Sequence, residues 1–547
     1  MSGLARNSSE CTSDIKYFRE KCLEQHETCC PKGPFRLPKR VIDVGDDNNQ
    51  PKLHITNGET TEYIALSHCW GSSAHCKLTK ANLVERQSSI SIESLPKTYR
   101  DVVDLARRMD IRYVWIDSLC IIQDDTLDWE QQAAQMGTIY RNASFTVAAT
   151  HGPNGDAGLF SDRPEHLLTR NLTFQDPDGQ PVFVAYARKP ILSHEVFFYG
   201  FHREKKSDYP LEDRAWCFQE RILSTRIAHF TKDELVWECN GFIRCECEGI
   251  IPGEHSRTLR EKFRQVMTET DTQRRITAWM EVLVEFCARR LTYESDRLPA
   301  LASLARALQE KGFGDYIAGC WITELPRQLL WYRPTARAKS MRPYRAPSWS
   351  FASAEGSHIS DCLRAPFKGI KMIGSPNGNG LIDGFSTWTT HAQLTEWKAQ
   401  PSGTDPLGNL SNAFIVLTAP TQNCTISWEF PEGQDKVRHF VHCLDSMIGF
   451  SPDYELPKKD PIVRSEGEDA SSREHAAAST KAVLIAICTE KPQMVYHGEG
   501  STILHLLVLL QVGQQDKYER IGTCALKQEG EGARWLSNAE DKTVTII

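Results

Sequence analysis

Long apolar runs are missing from this chain. None approaches the roughly 20 residues needed to cross a bilayer, and the longest, Ile503-Leu-His-Leu-Leu-Val-Leu-Leu-Gln511, is short and interrupted by a histidine, so no membrane span is expected. A surplus of cations is missing as well. Lys and Arg number 64 against 71 Asp and Glu, a net charge of -7, which leaves no spare charge to neutralise phosphates over a long tract and argues against a nucleic-acid partner. Met1-Ser-Gly-Leu-Ala-Arg-Asn7 has no apolar core of a secretory signal, so the 18 cysteines are expected to stay reduced in a cytoplasmic protein. No internal repeat is present. No serine occupies a Gly-x-Ser-x-Gly elbow, which argues against a serine hydrolase. The Gly378-Asn-Gly380 to Gly384 segment follows no strand-like run and reads as a loop rather than a phosphate-binding fingerprint. Two groups of metal-ligand types occur, Cys22, His26 and Cys29 with Cys30, and Cys239, Cys245 and Cys247 near His229. Neither has the paired Cys-x-x-Cys spacing of an assured zinc site, and no metal is assigned to them.

What is present is chemistry at the ends of apolar runs. Tyr63-Ile-Ala-Leu-Ser-His-Cys-Trp-Gly71 and Tyr113-Val-Trp-Ile-Asp-Ser-Leu-Cys-Ile-Ile-Gln-Asp-Asp125 each stop abruptly at small, polar or nucleophilic residues. Strands covered on both faces read as continuous apolar runs and deliver functional groups at their carboxyl ends. Between them, Tyr99, Val102, Val103, Ala106 and Met109 recur at helical spacing after Leu95-Pro96, where proline suits a first helical turn. Asp124 and Asp125 can cap a further helix bearing Trp129, Ala133, Met136 and Tyr140 on one face. Ser144 to Ala149 supplies a third strand. This alternation predicts an α/β fold, a parallel sheet flanked by helices, with the three strand ends on one edge where ligands of open sheets bind. Ser67, His68, Asp117, Ser118 and His151 would then share a crevice.

Ahead of this core, residues 1–62 read as a helix, Ile15 to Glu27, and a strap containing Arg40-Val-Ile-Asp-Val-Gly45. The α/β domain runs over 63–255 and closes with a helix around Trp216 to Leu223 and a hairpin of Arg226–Phe230 with Glu234–Cys239. A mainly helical region is expected over 256–345 and a β-rich one over 346–547. Apolar runs at Ala413–Ala419, Ala482–Ile487 and Ile503–Val512 carry the latter, with a charged, mobile insertion at about 456–479.

The two strand motifs, with Leu95-Pro96, Trp129-Glu130, Ile139-Tyr-Arg-Asn-Ala143 and Arg214-Ala-Trp-Cys-Phe-Gln-Glu-Arg-Ile-Leu-Ser224, resemble the fungal heterokaryon-incompatibility (HET) domain family. The similarity extends to Cys22-Leu-Glu-Gln-His26, Leu37-Pro-Lys-Arg40, Leu291-Thr-Tyr-Glu-Ser-Asp-Arg-Leu-Pro299 and Ala346-Pro-Ser-Trp-Ser-Phe351, where Phe351 replaces the usual tryptophan. The resemblance implies an intracellular role in self/non-self recognition and incompatibility cell death, through self-association or an incompatibility partner protein. Trp216-Cys-Phe-Gln-Glu-Arg-Ile-Leu223 is also similar to the signature of TIR domains, and Ala65-Leu-Ser-His68 to their first strand. This implies a TIR-like, flavodoxin-like sheet in which Glu220 acts on the nicotinamide ribosyl bond of NAD. NAD is accordingly a candidate substrate or ligand, and no other cofactor is assigned.

Glu220, Asp117 and His68 are therefore the candidate catalytic residues, and Ser67, Cys69, Trp70, Gly71, Ser118 and Trp216 the candidate substrate-binding residues. A carboxylate near a ribosyl centre favours the positive charge that develops as nicotinamide leaves. Packing offers competing roles. Glu220 can pair with Arg214, Arg221 or Arg226, and Asp117 can cap the loop that follows it. Cys69 and Cys120 raise a thiol alternative, although neighbours on an extended strand point to opposite sides, which separates His68 from Cys69. The open readings are an NAD-hydrolysing domain, a nucleotide- or protein-binding signalling module without catalysis, and a HET-like domain recruited to Cys/His biosynthetic chemistry.

Overall fold

The computed structural model describes residues 8–30, 35–46, 48–71, 76–161, 170–178, 180–187, 209–247, 258–332, 344–354, 360–361, 387–429, 438–444, 446–453, 480–491, 502–513 and 516–547. The expected insertion at 456–479 and the Gly378–Gly384 loop lie outside them. The chain divides into two compact units, the first comprising residues 1–264, 289–291 and 299–304, the second residues 265–288, 292–298 and 305–547. No described helix is long and apolar enough to cross a membrane.

The first unit is built from α1 (Ser8–Gln25), β1 (Arg40–Asp43), β2 (Lys52–Ile55), β3 (Tyr63–Ser67), α2 (Leu83–Ser88), α3 (Lys97–Arg108), β4 (Tyr113–Ile116), α4 (Asp117–Cys120), α5 (Thr126–Asn142) and β5 (Phe145–Ala148). A hairpin of β6 (Arg170–Gln175) and β7 (Pro181–Ala187) follows, then α6 (Ala215–Leu223), β8 (Arg226–Phe230), β9 (Leu235–Cys239) and β10 (Ile243–Cys245). One eight-stranded sheet has the order β10-β9-β8-β5-β3-β4-β1-β2. Its centre, β4-β3-β5-β8, is parallel, as the alternation of strands and helices requires. Both flanks are antiparallel, so the sheet is mixed rather than parallel throughout. The strap over 40–45 also needs correction. Arg40–Asp43 is a fully buried strand of the sheet, and Lys52–Ile55 pairs with it at the edge.

Strand alternation assigns side chains to the two faces. Trp237 of β9 stacks on Phe18 of α1, with ring centroids 6.3 Å apart, whereas the next residue, Glu238, turns to α6 and accepts from Arg221 Nε at 2.8 Å. Tyr63 of β3 donates to the Ile139 carbonyl of α5 at 2.5 Å, and Trp115 of β4 meets Tyr140 of α5 edge-on at 5.5 Å. Helix α5 begins where its aspartate predicts: Asp125 accepts from the amides of Leu127 and Asp128 at 3.1 and 3.2 Å.

The second unit contains α8 (Thr272–Cys287), the preceding and following helices α7 (Leu259–Thr268) and α9 (Pro299–Gln309) being shared along the chain with the first. Its main element is a nine-stranded sheet whose long strands cover Leu410–Glu429, Thr480–Lys491, Ile503–Gln511 and Lys517–Lys527. Val483, Ile485, Leu507 and Leu509 enter one core, while Leu484, Ala486, Leu506 and Val508 enter another. Both faces are covered, which is why these strands read as unbroken apolar runs despite antiparallel pairing.

Candidate functional site

At the end of β3 the same alternation separates two neighbours. Ser67 faces α6 and donates to Glu220 Oε2 at 2.5 Å, and the two residues are 2% and 4% exposed. The Tyr140 hydroxyl, which donates to the Leu66 carbonyl at 3.0 Å, lies against the same carboxylate. Burial pushes Glu220 up to about 7, and the charge of Asp117 adds to that, while Ser67, Arg214 and Tyr140 favour the ionised form and hold the rise back. Glu220 therefore sits near the midpoint of its titration at neutral pH.

His68 faces the other way. Its Nε2 lies 2.8 Å from the hydroxyl of Tyr99 on α3, and that hydroxyl lies 2.8 Å from Ser118 Oγ. Burial lowers the His68 pKa to about 4, against an upward pull from Asp117, so the ring is neutral at pH 7. Its Nδ1 faces Asp117 Oδ1 at 3.8 Å, beyond hydrogen-bond distance. Asp117 opens α4 and accepts from the Ser118 amide at 2.7 Å, and its second oxygen accepts from Trp70 Nε1 at 2.8 Å. Arg214, at the amino end of α6, donates to the His68 carbonyl and so ties α6 to the exit of β3. Ser67, His68, Trp70, Asp117, Ser118 and Glu220 are thus gathered at one edge of the sheet. Trp70, Asp117 and Arg214 remain partly exposed on its rim.

Cys69 stays beside this centre, hydrogen-bonded to Arg214 and facing the charge of Glu220. Cys69 lies in a small apolar cluster with Ala148, Leu211, Cys217 and Ile227, and burial pushes its thiol up to about 11; Cys120 is pushed up to about 12 by the same cause. Both move away from the reactive thiolate. Gly71 turns the chain with φ +68°, and a Cβ there would stand 2.3 Å from Asn154 Cβ, so the turn requires a glycine. Trp216 packs edge-on against Trp129 of α5 at 6.1 Å. His151 points to β8, with Nδ1 3.0 Å from the Phe230 carbonyl oxygen. Tyr99 and Tyr140 were legible only as apolar positions of their helices. Their hydroxyls are what join the site, and helical period carries no signal for that.

The ion-pair alternatives for Glu220 are mostly taken elsewhere. Arg221 donates to Glu238 at 2.8 Å and meets Glu212 at 3.3 Å, and Arg226 donates to the Ser144 carbonyl at 3.1 Å and to the Cys29 carbonyl. The charge of Arg214 acts on Glu220 through space. On the opposite face of the sheet, Cys22, His26, Cys29 and Cys239 come together with their ligand atoms all within 4.8 Å of one another, and Glu234, Cys245 and Cys247 form a separate group. Cys30 is exposed and its thiol donates to the Leu23 carbonyl at 3.3 Å.

Residues 63–220 match the family model described as heterokaryon incompatibility protein (HET). The matched segment begins at the first residue of β3 and ends at Glu220. No curated protein and no solved structure matches the chain.

Proposed function

We propose that the first unit is an incompatibility-type signalling domain whose working centre is the cluster around Glu220, and that this centre binds and hydrolyses NAD or a related nucleotide. One observation carries the reading: a buried carboxylate, poised near 7, hydrogen-bonded to Ser67 at 2.5 Å and standing beside Asp117 and Arg214 at the carboxyl ends of parallel strands. The parallel run β4-β3-β5-β8 corresponds to the 2-1-3-4 order of flavodoxin-like sheets, whose ligands lie outside those strand ends; this supports the TIR-like reading of the fold. Arg214 offers a cation for a phosphate and Trp70 a ring for a base or nicotinamide. In the hydrolysis, the bond between ribose C1′ and the nicotinamide nitrogen breaks with its electron pair leaving on nicotinamide. Water adds to C1′ and gives up a proton. An ionised Glu220 favours the cationic ribosyl centre between those events.

Burial of Ser67, His68 and Glu220 favours a second reading, in which the domain binds a nucleotide or partner protein and signals without turnover. Incubating the purified chain with NAD and resolving products by mass separates them. Nicotinamide release that falls roughly 100-fold in Glu220→Gln, a loss of about 3 kcal/mol of transition-state stabilisation, supports hydrolysis. Thermal stabilisation by NAD with no nicotinamide released supports binding alone. Neither effect with NAD removes it as the ligand.

A further inference from the structure

We propose that Cys22, His26, Cys29 and Cys239 form a structural zinc site that fastens the amino-terminal helix to the sheet of the first unit. Three of the ligands come from the end of α1 and the turn after it, in a Cys-x3-His-x2-Cys spacing, and the fourth ends β9, far along the chain. Sequence spacing alone therefore shows an incomplete set. Strand alternation completes it: Trp237 of β9 faces α1, and so does Cys239 two residues on.

The geometry suits a tetrahedral metal. Zinc–sulfur bonds of about 2.3 Å and zinc–nitrogen bonds of about 2.0 Å at tetrahedral angles place sulfur and nitrogen roughly 3.5 Å apart. Cys239 Sγ and His26 Nδ1 are 3.5 Å apart, and all four ligand atoms lie within 4.8 Å of one another. Cys22, Cys29 and Cys239 are buried, as a closed structural site requires. Donors stand beside the ligand set: the amides of Gly241 and Phe242 both donate to Cys239 Sγ at 3.4 Å, and the buried Arg226 guanidinium donates to the Cys29 carbonyl. Three thiolates, a neutral imidazole and Zn2+ sum to one negative charge, which a nearby guanidinium offsets. On binding, each thiol releases its proton and the sulfur electron pair goes to the metal.

His26 is held in place as well. Phe242 meets its ring edge-on at 4.7 Å, and a Cβ on Gly241 would stand 2.4 Å from His26 Cγ and Nδ1, so the hairpin turn after β9 admits the imidazole only because residue 241 has no side chain. The second group is different in kind. Cys245 and Cys247 have their sulfurs 2.9 Å apart, closer than the roughly 3.8 Å of two thiolates on one tetrahedral zinc, and Glu234 is its only other member.

Elemental analysis of the full chain, purified without chelator, should find one zinc per chain. Cys239→Ser and Cys22→Ser should lose it, while Cys30→Ser, which alters the exposed neighbour, should keep it. Because a ligand variant can fail to fold, cobalt substitution provides an independent readout: the cobalt protein should show thiolate charge-transfer and tetrahedral ligand-field bands, and His26→Cys should keep one metal per chain while shifting them. A folded protein with no zinc and no tetrahedral cobalt spectrum overturns the proposal. So does a Cys22–Cys239 or Cys29–Cys239 disulfide found by mass in the freshly purified chain, a folded Cys239→Ser protein that keeps its zinc, or a cobalt spectrum unmoved by His26→Cys.

Discussion

Glu220 and Arg221 are consecutive residues of α6, both buried, and their surroundings could hardly differ more. Arg221 enters a compensated network: Glu238 at 2.8 Å, Glu212 at 3.3 Å, with His229 Nε2 3.0 Å from Glu238 and Arg289 3.2 Å from Glu212. Burial alone would raise Glu238, but Arg221 and His229 hold its carboxyl well below the usual range. Glu220, by contrast, has a serine and a tyrosine for neighbours, another carboxylate close by, and a pKa driven up. A network whose charges cancel is what packing needs. A buried carboxylate whose pKa lies near neutral without a direct cation is costly for stability and useful for chemistry, which is why the proposed function is centred on Glu220 rather than on Arg221.

The largest effect should come from breaking the compensated side. Arg221→Met leaves Glu212 and Glu238 buried with too little positive charge, and should cost about 3 to 5 kcal/mol in denaturant unfolding. If Arg221→Met unfolds at the wild-type midpoint, the network is not what holds α6 to β9.

Glu220 should give a pH signature of the opposite kind. Its folded pKa, about 7, lies above the unfolded value of about 4.3, so the folded state holds the proton more tightly. Stability from this group is full below pH 4.3 and falls as pH rises to 7, by something on the order of 3 kcal/mol. His68 works against it. Its folded pKa of about 4 lies below the unfolded value of about 6.5, so its contribution is full above pH 6.5 and lost as pH falls toward 4. The two slopes oppose each other between about pH 4.3 and 6.5. Glu220→Gln removes the first, and its stability should then fall with acidification more steeply than that of the wild type over that window. Parallel wild-type and variant curves would mean that Glu220 titrates normally.

Tyr99→Phe tests the His68 side more gently. The lost hydroxyl leaves His68 Nε2 and Ser118 Oγ without the group that joins them, at a cost of about 1 to 2 kcal/mol. No measurable change in the unfolding midpoint would show that water replaces it. The smallest effect concerns the thiols. Because burial raises Cys69 to about 11 while Cys30 is exposed, peptide mapping after brief alkylation at neutral pH should find Cys30 modified and Cys69 intact. Rapid labelling of Cys69 would revive the thiol alternative.

Much of this comparison was legible beforehand on one side only. The β8–β9 hairpin, expected at Arg226–Phe230 and Glu234–Cys239, occurs at Arg226–Phe230 and Leu235–Cys239, because two short, largely apolar segments separated by the polar turn Thr231-Lys-Asp-Glu234 favour a hairpin. The strand ends Ser67 and Asp117 were visible for the same reason. Which arginine would serve Glu220 was not, since three lay within a few residues and only the direction each side chain takes around α6 and β8 separates them.

The sequence by itself determined the local periods: that strands and helices alternate through the core, where α5 is capped, and that polar and nucleophilic residues stand where apolar runs end. Tertiary structure alone decided which of those groups meet. Ser67 and His68 part to opposite faces of one strand, two tyrosines become site residues through hydroxyls that helical spacing does not reveal, and Cys239 reaches Cys22, His26 and Cys29 across more than two hundred residues of chain. Period is a property of neighbours along the backbone, whereas a site is a property of neighbours in space, and sheet order is what converts one into the other.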